Sequence, residues 1–168
     1  MISLAIFNPI SLFKKKFALT GDASVRKGIL DTEKAIIEAG GAEGNDGYEL
    51  EGAGLDHTFT DKIYVRECRL PKGMLLTSKI HKTNHPYFIL KGKARVLTED
   101  GVVEVEGPCY GVTPAGTKRL IYVLEDMVWC TCHATKSKDL KRIEKQTIAK
   151  DFNEFDFSES DKKKLLEG

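Results

Sequence analysis

Charge imbalance is missing from this 168-residue sequence: 26 Lys and Arg stand against 25 Asp and Glu, a formal net charge of +1. Without a basic surplus there is no electrostatic footprint for nucleic acid. The short tracts Lys14–Lys16 and Lys162–Lys164 read as solvated segments. Also missing is any apolar run near the roughly 20 residues that a bilayer-crossing helix needs, so no transmembrane segment is expected. The opening Met1-Ile-Ser-Leu-Ala-Ile-Phe-Asn-Pro9 puts its basic cluster after the apolar stretch, which is not the order of a secretory signal. The four cysteines, 68, 109, 130 and 132, show no C-x-x-C spacing and are too sparse for a disulfide-stapled fold. They are expected to be reduced thiols in an intracellular setting. Cys130 and Cys132, two apart on one predicted strand, share a face and read as core filling. No Ser-His-Asp order, glycine-rich phosphate loop or pair of carboxylates at defined spacing can be picked out, and no repeat is visible.

What the chain does contain is a change of periodicity. Residues 1–20 are apolar and then basic (Leu4, Ile6, Phe7, Ile10, Leu12, Phe13, then Lys14–Lys16), which suits a docking segment. Residues 22–39 read as helical, with Val25, Ile29, Ala35, Ile36 and Ile37 as an apolar stripe. Asp31 or Thr32 is a candidate cap for a second piece, and Gly40 a candidate stop. From Gly40 to Gly54 glycine takes six of fifteen positions, the composition of a linker. Beyond it, Lys62–Leu70 alternates as a half-buried strand does. Further strands are predicted at 74–80, 87–90, 94–97, 102–106, 110–113, 119–124 and 127–133. Asp100-Gly101 makes a hairpin signal, and Glu125-Asp126 a turn between the last two. Seven or eight short strands imply a closed barrel or sandwich. Ser137–Ile148 turns helical again, with Leu140, Ile143 and Ile148 on one face, and a charged tail follows. The expected organisation is 1–54 as helical extension and linker, 55–135 as barrel, and 136–168 as helix and tail.

Two punctuated segments carry a resemblance. Gly73, five residues, Lys79, one residue, His81, three residues, His85, six residues and Gly92 match the first motif of the cupin superfamily in every spacing. Lys79 stands where that motif has its first histidine, and His85 where it has glutamate. In the second segment Pro114 and Gly116 fit, Arg119 replaces the histidine, Val123 replaces the asparagine, and Gly107 lies one residue off the leading glycine. The chain thus resembles cupins over about residues 62–134. The resemblance implies a mainly β fold, a double-stranded β-helix or jelly-roll barrel with an N-terminal helical extension and a C-terminal helix. It further implies a homo-oligomer. Lys79-Ile-His-Lys-Thr, Pro114-Ala-Gly-Thr-Lys-Arg119, Glu125-Asp126, Trp129 and His133 are also similar to a cupin-like group common in tailed-bacteriophage genomes. That similarity implies a phage-encoded protein of host cytoplasm or virion, and no particular reaction.

The candidate site follows residue by residue. Imidazoles and carboxylates suit divalent transition metals, and His81 and His85 sit in matched positions, with His133 or His57 as a third ligand. His57 is expected in the loop leading into the first strand. Lys79 and Arg119 bring positive charge, which repels a cation and suits a carboxylate or phosphate. They and His57 are therefore candidates for anion binding. In a purely structural alternative, Arg119 pairs with Glu104 or Glu106. Tyr110, Tyr122 and Trp129 read as core fillers or pocket walls. Two functions are carried forward. One is a non-enzymatic phage protein with a degenerate metal or anion site at the barrel mouth and no certain cofactor, acting by oligomerisation or binding, either as a virion or assembly component that meets structural proteins through residues 1–20 or as a ligand-binding accessory protein. The other is a metal-dependent enzyme acting on a small anionic substrate.

Overall fold

A computed structural model describes residues 22–41, 51–98 and 101–152. The apolar lead at 1–20, most of the glycine-rich stretch and the charged tail from 153 lie outside the described residues. The elements in chain order are α1 (Asp22–Glu38), β1 (Gly54–Phe59), β2 (Ile63–Leu70), β3 (Leu75–Thr77), β4 (Ile80–His81), β5 (His85–Thr98), β6 (Gly101–Glu106), β7 (Cys109–Thr113), β8 (Leu120–Ala134), α2 (Leu140–Thr147) and β9 (Ile148–Ala149).

Seven strands form one antiparallel sheet in the order β1-β2-β8-β5-β6, with β3 added to β8 and β7 to β5. The fold is the expected mainly β, double-stranded β-helix with a helix on either side of it in sequence. Two long strands, β5 and β8, form the spine. The first half of β8 pairs with β3 and with the end of β5, while its second half pairs with β2 and with the start of β5. Each long strand therefore serves both halves of the barrel. This corrects the reading of Glu125-Asp126 as a turn and of 87–90 and 94–97 as separate strands: both stretches are continuous. The breaks in their alternation are register shifts between Ile89 and Ala94. Gly92 sits there at φ +88, where a Cβ would lie 2.3 Å from the Asp126 carbonyl oxygen. Only glycine tolerates both the conformation and the approach. Conversely, the predicted strand 74–80 divides into β3 and β4.

Strand parity sets the core. Tyr64, Arg66, Cys68 and Leu70 on β2 face His133, Thr131, Trp129 and Met127 on β8. Cys68, Leu70, Met74, Ile89, Ala94, Val96, Ile121, Val123, Met127 and Trp129 form the barrel's apolar floor. The Trp129–His133 face thus points inward. Cys130, on the opposite face, is nonetheless buried and lies 3.9 Å from Glu67 Oε2, and burial lifts its thiol to about 11. Tyr110 departs from the core-filler reading at 79% exposure.

α1 is a single helix, with no second cap at Asp31 or Thr32. Asp31 pairs instead with Lys27, and the Thr32 hydroxyl donates to the Gly28 carbonyl. Gly40, at φ +87, ends it as expected: Gly40 N–H bonds the Ile37 carbonyl and Gly41 N–H that of Ile36. Val25 and Ile29 pack on Leu97 and Leu120, the side of β5 and β8 turned away from the barrel interior. The buried Lys118 ammonium fastens this contact to Glu33 at 2.7 Å.

Candidate metal centre

The two glycine-bracketed segments meet through backbone polar groups. Gly116 N–H donates to the His81 carbonyl at 2.9 Å, and Ala115 N–H to Asn84 Oδ1 at 2.8 Å. The Pro114–Gly116 turn is thereby tied to the short loop that joins His81 on β4 to His85 at the start of β5. His133 comes from the far end of β8, in register with Tyr64. Together they close the polar end of the barrel.

His81, His85 and His133 are all buried, and one ring nitrogen from each lies within 4.8 Å of the others. The ring centroids are 4.1 Å apart for His81–His85, 4.6 Å for His85–His133 and 5.1 Å for His81–His133. His85 Nδ1 donates to the Thr83 carbonyl at 3.2 Å, which leaves Nε2 as its lone-pair nitrogen. His133 Nε2 lies 3.1 Å from the Thr131 hydroxyl. His81 Nδ1 and His133 Nδ1 are buried without a hydrogen-bond partner. Burial, reinforced by neighbouring histidines and arginines, holds His81 down to about 2 and His133 down to about 4, and burial lowers His85 as well. At neutral pH the three rings are therefore uncharged and carry lone pairs, the state in which imidazole ligates a metal. Around tetrahedral zinc, with bonds of about 2.0–2.1 Å, ligand nitrogens sit about 3.4 Å apart. With ring nitrogens within 4.8 Å of one another, the triad is a set that could hold a metal.

A cavity of about 50 Å³ adjoins the triad, lined among others by His57, Tyr64, Arg66, Lys79, His81 and His133. The C-terminal helix covers it: Ile143, Glu144 and Thr147 of α2 line the same cavity, and β9 pairs with β4, Ile148 against His81. Lys82 N–H donates to the Thr147 carbonyl at 2.8 Å, so the strand bearing His81 is held directly by the cap.

The remaining candidates separate. Lys79 is at the cavity but forms a salt bridge with Glu144. Arg119 stands off the lining, with its guanidinium 5.8 Å from the centre of the Tyr87 ring, and burial lowers its pKa. It does not take Glu104 or Glu106, which pair with Lys93, Glu104 also with Arg95. His57 lies on β1, a strand and not the expected loop. Its Nδ1 is 2.7 Å from the Tyr64 hydroxyl, at the cavity wall and outside the triad. Tyr64, which burial pushes up to about 12, stacks between His57 and His133. Sequence alone does not single out Tyr64 and Arg66. The available signal is parity: once His133 faces inward, its β2 partner Tyr64 must as well, and Arg66 follows two residues on.

No protein-family model matches the chain, and no curated protein matches it. Similar solved structures include KdgF from Halomonas sp., 14% identical, covering 54% of this chain and 87% of that one, with a TM-score of 0.45. An RmlC-like cupin family protein with a double-stranded β-helix fold from Methanocaldococcus jannaschii is 16% identical, covers 55% and 89%, and has a TM-score of 0.44. A cupin domain from Bordetella pertussis Tohama I is 16% identical, covers 50% and 94%, and has a TM-score of 0.40.

Proposed function

We propose that the protein binds one divalent transition metal through His81, His85 and His133. One observation carries this reading: two buried ring nitrogens, His81 Nδ1 and His133 Nδ1, lack any hydrogen-bond partner within a cluster of three imidazoles. Leaving a buried polar atom unsatisfied costs about 1–3 kcal/mol. Two such atoms within one cluster of imidazoles are what a ligand-ready metal site presents before the ion is added. Three neutral nitrogens suit zinc, copper, nickel or iron better than calcium or magnesium. An ion held this way supplies Lewis acidity and a polarised fourth ligand.

The cavity of about 50 Å³ limits what else can enter. Its inner space takes a few water-sized groups. This favours a binding protein, or chemistry on a very small molecule, over turnover of a bulky substrate. The phage origin and the docking role of residues 1–20 remain expectations from the sequence.

Purified without a histidine tag, the protein is expected to carry close to one equivalent of a transition metal. Alternatively it takes up that amount after stripping, with a rise in unfolding temperature by mass action. His133→Ala is expected to abolish both uptake and stabilisation. Uptake below about a tenth of an equivalent, with no thermal gain on adding metal, would sink the reading.

The outer sheet face supports a second feature, self-association. Tyr110, Val112 and Leu90 are 79%, 63% and 53% exposed, and Phe88 stacks on Tyr110 with ring centres 6.0 Å apart. Among the described residues β7 pairs only with β5. An apolar patch beside a sheet edge is a natural meeting surface for a second copy.

A further inference from the structure

Three imidazoles bring no charge, so a divalent ion held by them alone keeps its full charge in a buried place. Burying a charge is costly unless an opposite charge is paired with it. Among the described residues that line the cavity beside the triad, Glu144 of α2 is the only carboxylate. α2 carries three cations, Lys141, Arg142 and Lys145, none of which lines the cavity, and one acid, which does. The cap thus turns its single negative side chain toward the space that His81 and His133 also line.

The helix is anchored in a way that fixes this placement. Ile143 and Thr147 are 2% and 8% exposed, and the Thr147 hydroxyl donates to the Ile143 carbonyl at 2.9 Å. Ile148 N–H donates to the Glu144 carbonyl, and Ile148 is itself the residue paired with His81. The Glu144 backbone is therefore one hydrogen bond away from the partner of a triad member. Its side chain accepts from the Lys79 ammonium through Oε1, and a carboxylate has a second oxygen to offer.

Resting on the metal reading above, we propose that Glu144 is a carboxylate ligand of the ion, supplied by the C-terminal helix and not by the barrel. Lys79 is the competitor for it, a single charge that gives way to a double one. Metal binding and the seating of α2 are then one linked equilibrium: the ion holds the cap shut, and the seated cap holds the ion. With four protein donors a tetrahedral ion is closed off while α2 is seated. An outside ligand enters only in exchange for the carboxylate.

The test titrates the full-length protein with Co²⁺, whose visible absorption reports its ligands, and follows hydrogen exchange over α2 and β9. Glu144→Gln sits at a position 48% exposed and keeps both the shape and an oxygen that accepts from Lys79. It is expected to weaken cobalt binding at least about tenfold and to change the cobalt bands. Lys79→Met breaks the same ion pair but leaves the carboxylate, and is expected to bind cobalt at least as tightly as the parent. Cobalt is expected to slow exchange over α2 and β9 in the parent and not in Glu144→Gln. Parent-like affinity in Glu144→Gln, equal weakening in both variants, or protection of α2 that persists in Glu144→Gln overturns the proposal and leaves the metal reading standing. No cobalt uptake by the parent overturns both.

Discussion

At the scale of single residues, the site is dominated by desolvation. Burial lowers His81 to about 2 and His133 to about 4 from an ordinary 6.5, so below 6.5 the unfolded chain binds protons that the folded chain refuses. Stability is therefore fully present above pH 6.5 and is lost as the pH falls toward 4. A pKa lowered by one unit corresponds to about 1.4 kcal/mol, so His133 alone accounts for roughly 3 kcal/mol. The metal-free protein should show a urea midpoint that drops steeply between about pH 7 and pH 4.5, and His133→Gln should flatten the drop. Equal midpoints at the two pH values would show that the histidines are not held neutral. His81 and His85 were legible as a pair from their spacing alone. The neutrality that makes them ligands was not, because burial is a property of what surrounds a residue.

At the scale of elements, the alternation of β2 and the C-terminal stop of α1 could be read directly, since each depends on neighbours a few positions away. The length of β5 and β8 could not. Their alternation breaks near Gly92 and Glu125, and the break resembles a turn until the pairing is seen to continue across it. Gly92 and Gly73 separate two costs that sequence treats alike. Both have positive φ, but a Cβ at Gly73 would meet nothing within 4 Å, whereas at Gly92 it would strike the β8 backbone. Gly73→Ala should cost about 1–2 kcal/mol for the conformation alone. Gly92→Ala should cost that plus displacement of β8, at least about 3 kcal/mol. Thermal unfolding of the two variants side by side measures the difference, and equal losses would mean that the close approach at Gly92 is not rigid.

At the scale of the molecule, the barrel is graded, with an apolar floor around Trp129 and Ile89, a histidine-lined end, and a C-terminal helix closing that end. The apolar outer face of β5 and β7 sets the expectation of a homo-oligomer. Tyr110→Lys together with Val112→Lys should lower the assembly state in sedimentation equilibrium while leaving the unfolding temperature of the monomer within about 2 °C. An unchanged mass would remove that face as the contact.

Sequence by itself determined what rests on local order: the mainly β character, the helices before and after the barrel, and the glycine-bracketed spacing of His81 and His85. It also set His133 beside them as a metal candidate, with His57 as an alternative third ligand and anion-binding candidate. What tertiary structure adds is the placement of the two. His133 faces inward because β8 pairs in register with β2, which sets its ring against His81 and His85, while β1 turns His57 toward Tyr64. Register is fixed by long-range pairing, and a one-residue slip would send every one of these side chains to the other face. That dependence is why the triad could be suspected in the chain and assembled only in the fold.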